Sequence, residues 1–95
     1  MTPLDDNTIE QNLSELDGWR READTIVREF EHDDFMGSVR FVNALAEAAE
    51  EMNHHPDLAI SWNKVTVSLS THSEGGLTEA DFKLASKIEK LGKTG

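Results

Sequence analysis

The chain contains four histidines and no cysteine. Disulfide bridges, thiolate zinc ligation and a cysteine nucleophile are therefore excluded. Imidazole is then the side chain best suited to exchange protons near neutrality. Three of the four, His54, His55 and His72, lie near one stretch of alternating apolar residues. Such a trio has two chemical uses. It can deliver and remove protons as a general acid and base, or three neutral imidazoles can ligate zinc and leave a fourth position open to water. Adjacent histidines on an extended strand point to opposite sides, so a zinc site would need an irregular loop, and acid–base work is the stronger reading. His32, just before a helix cap, reads as a surface residue.

Whether the three meet depends on the elements that carry them. After Pro56, Leu58, Ile60 and Trp62 alternate with Asp57, Ala59 and Ser61, and Val65, Val67 and Leu69 alternate with Thr66, Ser68 and Ser70. Period-two alternation predicts two half-buried strands. Asn63-Lys64 is the natural turn, because asparagine adopts positive φ readily. That turn pairs Trp62 with Val65 and, carried outward, sets His55 opposite His72 on the face away from the apolar residues. The opposed imidazoles would sit at the rim of an uncovered, small and polar sheet face, a place for a flat polar ligand. Trp62, by parity, belongs to the core.

Elsewhere, Ile9, Leu13 and Leu16 mark a short helix over residues 8–16 that Asp17-Gly18 stops. Residues 19–21 and 25–31 read as a hairpin around Glu22-Ala23-Asp24. Asp33 or Asp34 caps a main helix with Phe35, Val39, Val42, Leu45, Ala49 and Met52 at helical spacing. Thr78-x-x-Asp81 is a capping box that opens a last helix with Phe82, Ala85, Ile88 and Leu91 on its apolar face. The order α-ββ-α-ββ-α predicts one α+β domain over residues 1–95, a four-stranded antiparallel sheet with helices on one face.

Composition limits the function. Ninety-five residues, 37% hydrophobic and 29% charged, suit one soluble domain, and no apolar run exceeds three residues, so no membrane span is expected. The N-terminus is acidic and lacks an apolar signal segment, so a cytoplasmic protein is expected. Net charge is −10, and residues 1–53 hold fourteen acids against four arginines. Phosphate backbones are repelled by such a surface, so direct nucleic-acid binding is disfavoured.

Glu50-x-x-x-His54-His55-Pro56, with Trp62 six positions on, then His72 and Asp81, resembles the signature of the pterin-4a-carbinolamine dehydratases. The resemblance runs over roughly residues 19–91 and includes Asn53-His54-His55-Pro56, the segment 71–78 and the region of Phe30, Phe35 and Phe41-Val42. It implies the same α-ββ-α-ββ-α fold, a homo-dimer or homo-tetramer, and no metal or organic cofactor. The implied reaction dehydrates 4a-hydroxytetrahydropterin to quinonoid dihydropterin. This recycles the cofactor of aromatic amino-acid hydroxylases, which makes such a hydroxylase a pathway partner. By the same resemblance His54 and His72 form the acid/base pair and His55 positions the pterin and shares in proton transfer. Glu50, Asn53, Pro56, Ser70, Thr71, Ser73 and Asp81 fall on substrate-binding positions. Relatives often carry Asp at position 53, and Asn53 can only hydrogen bond.

Bland readings stand beside these roles. Asp81 is fully explained as the third residue of a capping box. Glu50 is either a solvated helix residue or the group that orients His54 four residues on. Related modules of the same fold are noncatalytic, serving in dimerisation or as assembly chaperones, and another use of the fold is a dehydratase for a molybdopterin-linked pterin. Retention of all three motif histidines argues for catalysis.

Overall fold

The computed structural model describes residues 2–94. Helix α1 (Asp6–Ser14) starts two residues before the expected boundary, because the Asp5 carboxylate caps it by accepting from the Thr8 N–H at 2.8 Å. That bond, and next the Thr8 side chain, hold the Asp5 carboxyl below the usual aspartate range, slightly opposed by burial. Strands β1 (Arg20–Glu22) and β2 (Thr25–Glu31) form the first hairpin, turned at Ala23 with φ 55°. Helix α2 (Phe35–Met52) is capped by Asp34, whose carboxylate accepts from Gly37 N–H. Strands β3 (Asp57–Ser61) and β4 (Lys64–Leu69) follow, then a 3₁₀ turn (His72–Glu74) and α3 (Glu79–Thr94).

The sheet is antiparallel throughout, in the order β1-β2-β4-β3. Pairing of β2 with β4 aligns Ile26 with Leu69, Arg28 with Val67 and Phe30 with Val65. These residues share one face, and the helices cover it. Ile26, Val65, Val67 and Leu69 are fully buried there against Leu45 of α2 and Leu84, Ala85 and Ile88 of α3. Each buried aliphatic side chain contributes about 1.5–3 kcal/mol relative to exposure. Trp19, Phe30 and Phe41 extend the core as a chain of rings 6.2 and 4.7 Å apart. No helix among the described residues is long and apolar enough to cross a membrane. The α+β class and the element order agree with the expectation from sequence.

The second hairpin differs from expectation. Its ladder pairs Ser61 with Lys64 and Ile60 with Val65, so the loop is Trp62-Asn63, with Trp62 and not Asn63 in the left-handed region at φ 52°. Tertiary bonds hold this turn. Ser38 Oγ, fully buried, donates to the Trp62 carbonyl at 2.8 Å, the His32 N–H donates to the Asn63 carbonyl at 2.7 Å, and Asn63 Nδ2 donates to the His32 carbonyl at 3.1 Å. His32 is accordingly a half-buried residue, its ring 4.9 Å from that of Phe41, and not a surface one.

A two-residue displacement keeps every side chain on its face but moves every partner. The ladder ends at Asp57 opposite Ser68, and neither His55 nor His72 lies in it, so they do not form the expected cross-strand pair. Trp62 is 68% exposed rather than in the core. Leu58 and Ile60 sit on the apolar side of the sheet's edge strand yet stay 38% and 43% exposed, and the whole of β3 is exposed.

Candidate active site

The site begins where α2 stops. The Asn53 backbone is left-handed (φ 51°, ψ 41°), the Asn53 N–H donates to Glu50 O at 3.1 Å, and the His54 N–H donates to Ala49 O at 3.0 Å. This pair of bonds is a Schellman motif, in which asparagine substitutes for the usual glycine. The chain reverses there, and the two histidines that follow diverge.

His54 turns inward to the first turn of α3. Its Nε2 lies 2.6 Å from Asp81 Oδ1, with Asp81 completely buried and the His54 side chain only 14% exposed. The other carboxylate oxygen accepts from Thr71 Oγ1 at 2.8 Å and from the Thr78 N–H at 2.9 Å. The carboxylate half of the expected capping box is thus present, and the same carboxylate also meets His54. His55 turns outward, and its Nε2 meets Glu50 Oε2, both side chains being mostly exposed. Glu50 therefore pairs with His55, not with His54 as its four-residue spacing suggested, because the spacing rule fails once the helix ends at Met52.

His72 opens the 3₁₀ turn beyond β4. The loop is closed by paired bonds between Thr71 and Gly76 and by Gly75 N–H donating to the His72 carbonyl at 3.1 Å, with Gly75 at φ 79° where a side chain would be strained. Thr71 and His54 bind opposite oxygens of the Asp81 carboxylate, so the backbone that carries exposed His72 adjoins the His54 imidazole. One buried carboxylate thereby draws together the α2 C-terminus, the β4–α3 loop and the α3 N-terminus.

Other candidate positions are placed as follows. Asn53 and Ser73 are exposed near the histidines. The Ser70 hydroxyl donates to the Asp24 carbonyl at 2.7 Å and ties this loop to the first hairpin. Pro56 and His55 border an open, mostly apolar pocket of about 310 Å³ floored by Leu45, Ala46, Ala49 and Leu58. Sequence periodicity marked Leu45 and Ala49 only as core positions of α2. Thr78, fully buried, was legible only as a helix cap; its Oγ1 is 2.8 Å from Thr71 Oγ1 and belongs to the same network. A larger groove of about 910 Å³ between α1 and α3 has no histidine in its lining. Among the described residues no group of three or more His, Asp or Glu is disposed to hold a metal ion.

Known proteins resemble this chain over nearly its whole length. The family model described as pterin 4 alpha carbinolamine dehydratase matches residues 2–91. A protein of Sulfolobus acidocaldarius, provisionally named a pterin-4-alpha-carbinolamine dehydratase, is 48% identical over 88 residues, 93% of this chain and 97% of its own length. One from Thermosynechococcus vestitus, with the same provisional name, is 47% identical over 91 residues, covering 96% and 93%. Among solved structures, a transcriptional coactivator/pterin dehydratase from Brucella melitensis superposes with a TM-score of 0.93 at 35% identity, over 96% of this chain and 99% of that one. A pterin dehydratase-like RuBisCO assembly factor of the alpha-carboxysome shares the fold, with a TM-score of 0.64 at 21% identity over 78% of this chain and 86% of its own.

Proposed function

This chain belongs to the pterin 4 alpha carbinolamine dehydratase family, and from that premise we propose that it is a hydro-lyase. Its reaction converts 4a-hydroxytetrahydropterin to quinonoid dihydropterin and returns the pterin cofactor to an aromatic amino-acid hydroxylase. The observation that carries the reading is the gathering of His54 and the His72 loop on the two oxygens of Asp81, with His55 beside an apolar pocket. Loss of the 4a-hydroxyl needs one proton delivered to the leaving oxygen and one removed from a ring nitrogen. His54 and His72 are assigned these transfers, since imidazole serves as acid and base near neutrality. His55, steadied by Glu50, positions the ring and shares in proton transfer, and Asn53 and Ser73 offer hydrogen bonds. The noncatalytic uses of the fold would leave the histidine arrangement without a task.

The direct test is dehydration of 4a-hydroxytetrahydropterin followed by absorbance, with and without a chelator. Catalysis well above the spontaneous rate, unchanged by chelation, is expected. Loss of activity in chelator with recovery on adding zinc would favour three-imidazole ligation instead.

The enzyme is further proposed to act as a homo-oligomer. Support comes from β3, whose outer edge pairs with no strand among the described residues and can accept one from a second copy. Leu58, Ile60 and Trp62 are 38–68% exposed there, and Phe35 and Met36 lie on the first turn of α2, which Ser38 ties to the same hairpin. Ile60→Arg is expected to lower the molar mass measured by light scattering at micromolar concentration to that of one chain. A wild-type chain that is already monomeric under those conditions removes the proposal.

A further inference from the structure

Asp81 is the one carboxylate among the described residues that is wholly buried, and its hydrogen-bond partners define the state of His54. Oδ2 accepts from two donors, the Thr78 N–H and the Thr71 hydroxyl. Since the Thr71 hydrogen points at Asp81, the 2.8 Å contact between the two threonine hydroxyls has Thr78 as donor and Thr71 as acceptor. The relay therefore runs from Thr78 through Thr71 to Asp81. With Asp81 as a carboxylate, which has acceptors only, the 2.6 Å contact at Oδ1 is donated by His54 Nε2–H. In neutral imidazole one nitrogen carries hydrogen and the other a lone pair. The lone pair is then on Nδ1.

We propose that Asp81 is a positioning residue that fixes His54 as the Nε2–H tautomer, so that Nδ1 is the atom of His54 that takes up and returns the proton. This rests on the acid/base reading of His54 given above, but the tautomer is a property of the resting protein. Asp81, with no exposed surface and both oxygens occupied, acts through His54 and not on the pterin. The threonine relay keeps the carboxylate from rotating away. It also couples the His72 loop to His54, because Thr71 immediately precedes His72.

Asp81→Asn is the informative change because it is isosteric. Its amide oxygen must take the Oδ2 position to accept from Thr78 and Thr71, which leaves the NH₂ group facing His54. Nε2 then has to accept, and the hydrogen moves to Nδ1. Long-range ¹H–¹⁵N correlation spectra of the uncomplexed protein, at a pH where His54 is neutral, are expected to show Nε2–H in the wild type and Nδ1–H in Asp81→Asn. A merely structural carboxylate would not produce that exchange. In the dehydration assay the same variant should lose about 10²–10⁴-fold in kcat, the range for one acid–base group, with KM within a few-fold of wild type. Thr71→Val, which removes only the relay hydroxyl, should give a smaller loss in kcat and a mixture of tautomers. A wild-type His54 found as Nδ1–H overturns the proposal even if Asp81→Asn fails to fold. So does an Asp81→Asn spectrum that retains Nε2–H. If the wild type is Nε2–H and the tautomer switches in the variant, but the wild-type chain does not dehydrate the carbinolamine, the tautomer assignment stands and the catalytic reading fails.

Discussion

Replacement of His54 or His72 by alanine is expected to lower kcat by about 10²–10⁴-fold, equivalent to roughly 3–5 kcal/mol of barrier. Under the roles proposed above, each change removes one of the two proton transfers, which water must then perform unaided. The two variants should differ in stability. His72 is exposed on its 3₁₀ turn and contributes nothing to the core, so His72→Ala should leave the denaturation midpoint in place. His54→Ala takes one donor from a buried carboxylate that keeps Thr71 and the Thr78 N–H. A cost of about 1–3 kcal/mol follows, the usual penalty for a buried acceptor left short of a partner. His55 is mostly exposed and paired with Glu50, and His55→Ala should raise KM more than it lowers kcat, as expected when a positioning contact is lost. Rates equal to wild type in both His54→Ala and His72→Ala would sink the proton-transfer assignment and leave a noncatalytic module as the better account.

The parts of this molecule that were legible in the sequence are those governed by local periodicity and capping. Asp34 caps α2, the Asp81 carboxylate accepts from the Thr78 N–H where α3 begins, and the apolar stripes of α2, β2 and β4 face one core. Local rules did not give the turn at Trp62-Asn63. Asparagine is the intrinsic choice for positive φ, but the bonds from buried Ser38 and from His32 hold Trp62 there, and both donors are distant in sequence. Alternation named the face of Leu58 and Ile60 correctly, yet it carries no information on whether a helix covers that face. The site shows the same division. Residue types and the family resemblance picked out His54, His55, His72, Glu50 and Asp81. Which carboxylate meets which imidazole depended on the left-handed turn at Asn53, which sends His54 to Asp81 and His55 back to Glu50.

Glu89→Ala is expected to destabilise the fold by about 2–4 kcal/mol, measured as a lower midpoint of unfolding in urea. Arg28 sits on the core face of β2, between Ile26 and Phe30, where a charge is costly unless countered. Its countercharge is Glu89 of α3, with Arg28 Nε 2.5 Å from Glu89 Oε1; the N–H is not aligned as a hydrogen bond, so the contact is charge pairing. The same oxygen accepts from Trp19 Nε1–H at 2.9 Å, and the guanidinium carbon lies 4.6 Å from the centre of the Phe30 ring. Removing Glu89 strands a cation and an indole N–H together. Breaking a buried pair costs about 3–5 kcal/mol, reduced here because the Arg28 side chain remains 27% exposed to water. Glu89→Gln keeps an acceptor for Trp19 and should cost about half as much. The double change Arg28→Met with Glu89→Leu should recover most of the loss, because apolar replacements of a buried pair are often neutral or better. Gly18 supplies an independent check: a Cβ there would fall 1.7 Å from Arg28 Nη1, and φ is +85°. Gly18→Ala should therefore destabilise as well, and less so when Arg28 is already methionine. If Glu89→Ala unfolds at the wild-type midpoint, the pair is a bystander and the aromatic chain of Trp19, Phe30 and Phe41 holds this side of the core by itself.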